Sequence, residues 1–160
     1  MHTRSELEHL VSHAFAKEPF RGNISLRQGR LLDDWVDSQE RYEEARNKDE
    51  TGDWEGIPDA DIAHFGSAFT FLDNEAVPFY LPALMCYCIR HWDRPDHILA
   101  TLLFHFDSGL DRFSCLSEQQ RSVVTAFLEF VVDYSRSEFD VRAAKAALKK
   151  HWAQFKDWTI

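Results

Sequence analysis

Glycine and proline are scarce in this 160-residue chain, at six and five. That shortage excludes a sandwich or barrel, which needs turn residues roughly every 8–12 positions. Cysteine is rarer still. Cys86, Cys88 and Cys115 are odd in number and lie among apolar residues, which excludes a disulfide framework and predicts reduced, buried thiols. Cys86 and Cys88 stand two apart and diverge by about 200° on a helix, so they cannot chelate one ion together. A long apolar run is also missing. The least charged stretch, 65–89, is interrupted by Asp73, Glu75, Pro78 and Pro82 and does not read as a membrane span. Met1 to Leu10 carries Arg4, Glu6 and Glu8 with no apolar run, so no secretory or transit signal is expected and the protein reads as cytoplasmic.

Bases are lacking in one place above all. Between Asp33 and Asp61 stand twelve carboxylates (Asp33, Asp34, Asp37, Glu40, Glu43, Glu44, Asp49, Glu50, Asp53, Glu55, Asp59, Asp61) against Arg41, Arg46 and Lys48. The whole net charge of −9 therefore sits in 29 residues, and the other 131 balance at 15 acids and 15 bases. Such a block repels nucleic acid and anionic lipid and speeds encounter with basic surfaces. Direct nucleic-acid or membrane binding is accordingly not expected.

What is abundant is large apolar rings: thirteen Phe and five Trp in a chain that is 44% hydrophobic, predicting an interior built from aromatics. Their spacing is helical. Leu7, Leu10, Val11, Ala14 and Phe15 form one buried stripe in a helix ending by Pro19. A second helix is expected from near Gly29, with Leu32, Trp35, Val36 and Tyr42 inward and the acids outward. Asp59 or Asp61 is placed to cap a short helix through Phe65. Pro82 has no N–H for the carbonyl of residue 78, so helices are expected over 74–80 and 82–92 with a break between them. Ile98, Leu99, Leu102, Leu103 and Phe106 give a further stripe. Ser117 and Gln120 have the form of a capping box before the apolar run 123–134. A last helix spans 140–155, with Arg142, Lys145, Lys149 and Lys150 outward. The expected architecture is one all-α domain over 1–160, with about six or seven helices around a central helix at about 117–135.

Trp54 and Ile57, then Phe71-Leu72-Asp73, then Phe79-Tyr80-Leu81-Pro82-Ala83, and finally Phe113, Leu116, Gln120, Phe127 and Leu128 form an ordered pattern. The pattern resembles a bacterial family of small helical proteins known only as a domain of unknown function. The resemblance implies a bacterial, cytoplasmic protein and brings no catalytic residue. Physically, Asp73 reads as the cap of the helix after it, and the Tyr80–Pro82 kink as packed aromatics or, alternatively, a ligand-orienting groove.

No catalytic signature is complete. His91, Asp93, Asp96, His97, His105 and Asp107 are the densest set of potential ligands for zinc, manganese or iron, but their spacing does not converge on a helix and Asp96-His97 reverses the His-Asp order of metal phosphohydrolases. His9 and His13 stand at i, i+4 without the glutamate of a metalloprotease helix. Ser67 lacks a nucleophile elbow, and no glycine loop suits a phosphate. No cofactor and no catalytic residue is therefore assigned. The leading expectation is a non-enzymatic binding domain of the antitoxin or immunity type. Its Asp33, Asp34, Asp37, Glu40, Glu43, Glu44 and Asp53 would meet a basic protein partner such as a toxin or effector, with Trp54 and Ile57 as apolar anchors. The alternatives are a metal-dependent hydrolase built on His91, Asp93 and His97, and an adaptor binding a peptide or small ligand near Tyr80 and Pro82. Oligomeric state is not specified by the sequence.

Overall fold

The computed structural model describes residues 1–94 and 97–156 and contains helices and turns, with no strand among those residues. Its α-helices are α1 (Arg4–Ala14), α2 (Leu26–Asp33), α3 (Gln39–Lys48), α4 (Asp59–Phe65), α5 (Val77–Arg90), α6 (His97–Ser108), α7 (Glu118–Tyr134) and α8 (Glu138–Ala147). The expected all-α architecture is thus the observed one. None of the described helices is long and apolar enough to cross a membrane.

Local chemistry sets the helix ends. Thr3 and Glu6 close a reciprocal box at α1: the Glu6 N–H donates to the Thr3 hydroxyl at 3.2 Å and the Thr3 N–H to the Glu6 carboxylate at 2.7 Å. The Ser117–Gln120 box opens α7 as the sequence predicted, with bonds of 3.1 and 2.9 Å. Leu7, Val11 and Phe15 are fully buried, and α1 packs on both α5 and α7.

The helix expected from Gly29 onward is two. At Trp35 the backbone turns left-handed (φ 56°). The Trp35 N–H then donates to Leu32 O at 3.1 Å and the Val36 N–H to Leu31 O at 2.9 Å, the paired bonds that end a helix and consume its last carbonyls. Ser38 caps α3, accepting from the Arg41 N–H at 3.3 Å. The inward stripe assigned to Leu32 and Trp35 does not exist: Leu32, in the last turn of α2, is exposed, and Trp35, on the left-handed turn after it, is almost wholly so.

The break expected at Pro82 is absent. A single helix, α5, runs through it, and 13 of its 14 residues are buried, all but Arg90. An interior proline costs about 3 kcal/mol, whereas each fully buried large side chain contributes about 1.5–3 kcal/mol. The apolar surface of Phe79, Leu81, Leu84, Met85 and Ile89 therefore outweighs one missing hydrogen bond. Helix α7 is buried at ten positions, including Val123, Phe127 and Val131, while Tyr134 emerges at its end. After α8 the chain stays helical through a π turn, Leu148–Trp152, and a final 3-10 turn, Ala153–Phe155. The wide turn brings Trp152 into the interior, where its indole donates to Phe106 O at 2.9 Å and its carbonyl accepts the Thr125 hydroxyl at 2.8 Å. Trp152 meets Phe106 and Phe113 edge-on, with centroids 5.4 and 5.2 Å away, so the predicted aromatic interior is present.

Four polar side chains, those of Trp54, Asp73, Tyr80 and Gln120, all grip one connection, residues 14–26. The Trp54 indole donates to Phe15 O at 2.8 Å, Gln120 to Ala14 O at 3.3 Å, the Tyr80 hydroxyl accepts the Leu26 N–H at 3.1 Å, and Asp73 accepts the N–H groups of Asn23 and Ile24 at 3.0 Å. Asp73 therefore does not cap the helical turn after it, as the sequence suggested; its carboxylate serves two orphan amides across the fold instead. Gly22 lies so close to the helical turn before α5 that a Cβ there would come within 2.8 Å of Ala76 Cα, so only glycine fits this approach. Tyr80 and Pro82 are buried, and the groove suggested beside them is filled by packing.

Candidate functional site

The acidic segment divides into carboxylates the fold uses and carboxylates it leaves to solvent. Asp49 and Asp61 bracket Arg27 at 2.7 and 3.0 Å, and Asp49 also accepts the Arg27 N–H at 2.8 Å, which ties α2 to the loop after α3 and to α4. Asp59 binds Arg90 at 2.5 Å and His91 at 2.7 Å, while Glu8 takes the other side of Arg90 at 2.8 Å. Burial opposes ionisation of Asp59, but the hydrogen bonds from Arg90 and His91 prevail and hold its carboxyl below the ordinary aspartate value. Neither Asp59 nor Asp61 is the cap of α4, which begins after Pro58. Glu50 accepts the N–H groups of Gly52 and Asp53, and Asp53 caps the turn at Trp54 by accepting the Glu55 N–H at 3.0 Å. Asp34 pairs with Arg30 at 3.1 Å on α2.

Removing these leaves six exposed carboxylates, Glu55 in the turn at Trp54 and Asp33, Asp37, Glu40, Glu43 and Glu44 at the end of α2, on the α2–α3 turn and on α3. Trp35 stands among them at 92% exposure. Asp37 precedes Ser38, so it flanks α3 instead of lying on its face; Glu40 and Glu44 share that face at i, i+4. The expected anchors Trp54 and Ile57 are in the core, at 4% and 8% exposure, because the Trp54 indole is needed to bind Phe15 O. Trp35 takes their place on the surface. Its sequence signal is a lone ring inside Asp33-Asp34-Trp35-Val36-Asp37, whose spacing from Leu32 also fits a helical stripe.

The residues of the alternative metal reading are not brought together. His91 is held by Asp59, Asp93 is bound by Arg4 at 3.2 Å, and His97 is exposed at the start of α6. Asp107 pairs with Lys150 at 2.9 Å, and His105 faces the Thr70 hydroxyl at 3.1 Å. Asp96 lies outside the described residues. Among the described residues no three His, Cys, Asp or Glu side chains converge as a metal would require. Cys86 and Cys88 are buried as expected, and loss of solvation pushes the Cys86 thiol up to about 12, far from a reactive thiolate. Cys115 is exposed, contrary to expectation, because it lies on the bend between Phe113 and α7 instead of on an inward helical face.

His105 yields the clearest pH prediction. Burial and the nearby positive charge of Arg112 depress its pKa to about 4 from the ordinary 6.5. Arg112 itself, lowered by desolvation, spends its donors on the carbonyls of Phe69 and Leu72. A depressed histidine contributes stability that is complete above about pH 6.5 and is lost as pH falls toward 4. Urea midpoints are therefore expected to drop across that window in the wild-type chain and to drop less in His105→Gln; parallel pH curves would show that another group is responsible.

Neither a curated protein nor a solved structure matches the chain. A family model matches residues 3–156, almost the whole fold just described, and the chain belongs to that family, the family of unknown function DUF6714.

Proposed function

We propose that this protein is a non-enzymatic binding domain that docks a basic protein through Trp35 and the exposed carboxylates of the α2–α3 turn and α3. The observation that carries this reading is Trp35: a large ring, 92% exposed, in the middle of uncompensated acids. Exposed tryptophan is costly in water and is over-represented among the few residues that supply most interface energy. The surrounding Asp33, Asp37, Glu40, Glu43 and Glu44 supply a field that steers a basic partner toward it. An immunity-type role fits these features best, in which a cytoplasmic bacterial protein covers the basic active surface of a nuclease-like effector. Carboxylates would stand in for the phosphates such a surface recognises.

Association kinetics test it. Pull-downs with wild-type protein and with Trp35→Gly separate the partner that depends on this surface from incidental binders. Stopped-flow mixing with that partner should then show faster association at low salt, with most of the advantage lost as the Debye length shrinks from about 30 Å at 0.01 M to about 8 Å at 0.15 M. The triple variant Asp37→Lys, Glu40→Gln, Glu44→Lys is expected to slow association roughly tenfold at low salt and to change dissociation little. Glutamine is used at Glu40 because that residue lies in the first turn of α3, where a positive charge would oppose the helix dipole. An association rate indifferent to both salt and these substitutions overturns the proposal.

A further inference from the structure

A cleft of about 470 Å³ opens where the bend after α5 meets the start of α1, the first turn of α6 and the α7–α8 turn. Its volume falls within the roughly 300–1,000 Å³ of small-molecule sites. None of its lining residues belongs to the acidic face, so what it binds is a separate matter from the docking surface.

The cleft is lined by both cationic and aromatic side chains. Arg4, Arg94 and Arg136 line it. Arg4 is engaged by Asp93, whereas Arg94 and Arg136 are exposed and have no ion-pair partner among the described residues. The second lining carboxylate, Asp140, accepts the Ser135 hydroxyl at 3.4 Å. Three positive charges against two negative ones give a positive surplus in a chain of net charge −9. The basic character continues past Arg136 into an adjoining concavity of about 380 Å³ lined by Arg142 and Lys145.

The lining also carries a ladder of rings, Trp92 and Tyr134 joined through Phe130. Trp92 meets Phe130 at 4.8 Å between centroids, and Phe130 meets Tyr134 at 4.6 Å with planes inclined by 30°. Phe130 is buried and Tyr134 is 40% exposed, so the ladder ends in an open aromatic face. The Trp92 indole donates to Tyr134 O at 3.4 Å, fixing the wall before any ligand arrives. A prebuilt ring surface favours a planar partner, because no side-chain freedom is lost on stacking. Two guanidinium groups with no ion-pair partner among the described residues favour a phosphate, since each can donate a forked pair of hydrogen bonds to its oxygens.

We propose that this cleft binds a small planar ring compound carrying a phosphate group, of the size of a nucleoside monophosphate, with the ring against Tyr134 and Trp92 and the phosphate between Arg94 and Arg136. A long polyanion is disfavoured by the chain's net negative charge; a single small anion feels chiefly the local surplus.

Isothermal titration with each of the four common nucleoside 5′-monophosphates, with adenosine and with inorganic phosphate, tests the proposal. At least one nucleotide is expected to bind with Kd below about 1 mM, at least tenfold more tightly than adenosine or phosphate alone. Arg94→Ala with Arg136→Ala should weaken that binding by about tenfold or more, and Tyr134→Ala should weaken it as well. Both arginines are exposed, so circular dichroism of the double variant should match the wild type. The proposal is overturned if none of the four nucleotides binds in that range, if phosphate alone binds as tightly, or if binding survives the double substitution.

Discussion

Replacing Phe127 with alanine is expected to lower the free energy of unfolding by about 3–5 kcal/mol. The ring is completely buried near the middle of α7, and Phe106 lies edge-on to it at 6.3 Å between centroids. Phe106 in turn contacts Phe113 and Trp152. The neighbours that would have to relax into the vacated space are thus themselves rigid rings, and Trp152 is pinned by hydrogen bonds to Phe106 and Thr125. Aromatic rings held in this way collapse poorly, which puts the cost at the upper part of that range. Since a domain's whole stability is about 5–15 kcal/mol, chemical denaturation should show a large fall in midpoint with little change in slope. A loss below about 1 kcal/mol would show that this ring is not at the centre of the core.

Trp35→Gly is expected to separate stability from binding. A non-glycine residue in the left-handed region costs about 1–2 kcal/mol, and Trp35 recovers little of that through packing, since its side chain is almost wholly in solvent. Glycine removes the strain but adds unfolded-state entropy, about 0.5–1 kcal/mol. The net expectation is unchanged or slightly raised stability. Partner affinity should move the other way, with a loss of about 2 kcal/mol or more, roughly thirtyfold in Kd, as for other exposed tryptophan anchors. Trp35→Ala is the informative companion: it should lose the same affinity without the gain in stability. Thermal melts and titration of the partner against all three chains check this. If the glycine variant is markedly less stable, the ring packs on the protein; if it binds as well as the wild type, Trp35 is not an anchor and the functional proposal fails.

The helical architecture was legible because it rests on local signals. Apolar stripes at i, i+3 and i+4, the Ser117–Gln120 box and the shortage of glycine and proline all act within a turn or two of the chain. The acidic segment was equally plain, since charge is additive and needs no coordinates. What local rules misjudged were two helix boundaries. At Pro82 they predicted a break, yet burial of α5 on every side outweighs the missing bond. At Trp35 they predicted a continuing helix, yet Ser38 was available to start a new one and the paired bonds of Trp35 and Val36 closed the old.

The site was misread for the same reason. Sequence alone determined that the protein is helical, aromatic-cored and strongly acidic between Asp33 and Asp61. Only the tertiary structure decided which acids remain free, because pairing depends on long-range neighbours: Arg27 claims Asp49 and Asp61, Arg90 claims Asp59, and the amides of the 50–55 loop claim Glu50 and Asp53. The exchange of Trp54 for Trp35 as the surface ring has a similar cause. A tryptophan can be buried where its indole N–H meets an acceptor, and the chain brings Phe15 O to Trp54 from 39 residues away. Trp35 stands on a turn whose backbone direction carries its ring into solvent. Hydrophobicity is identical for the two residues, so burial was settled by where the folded chain placed a carbonyl.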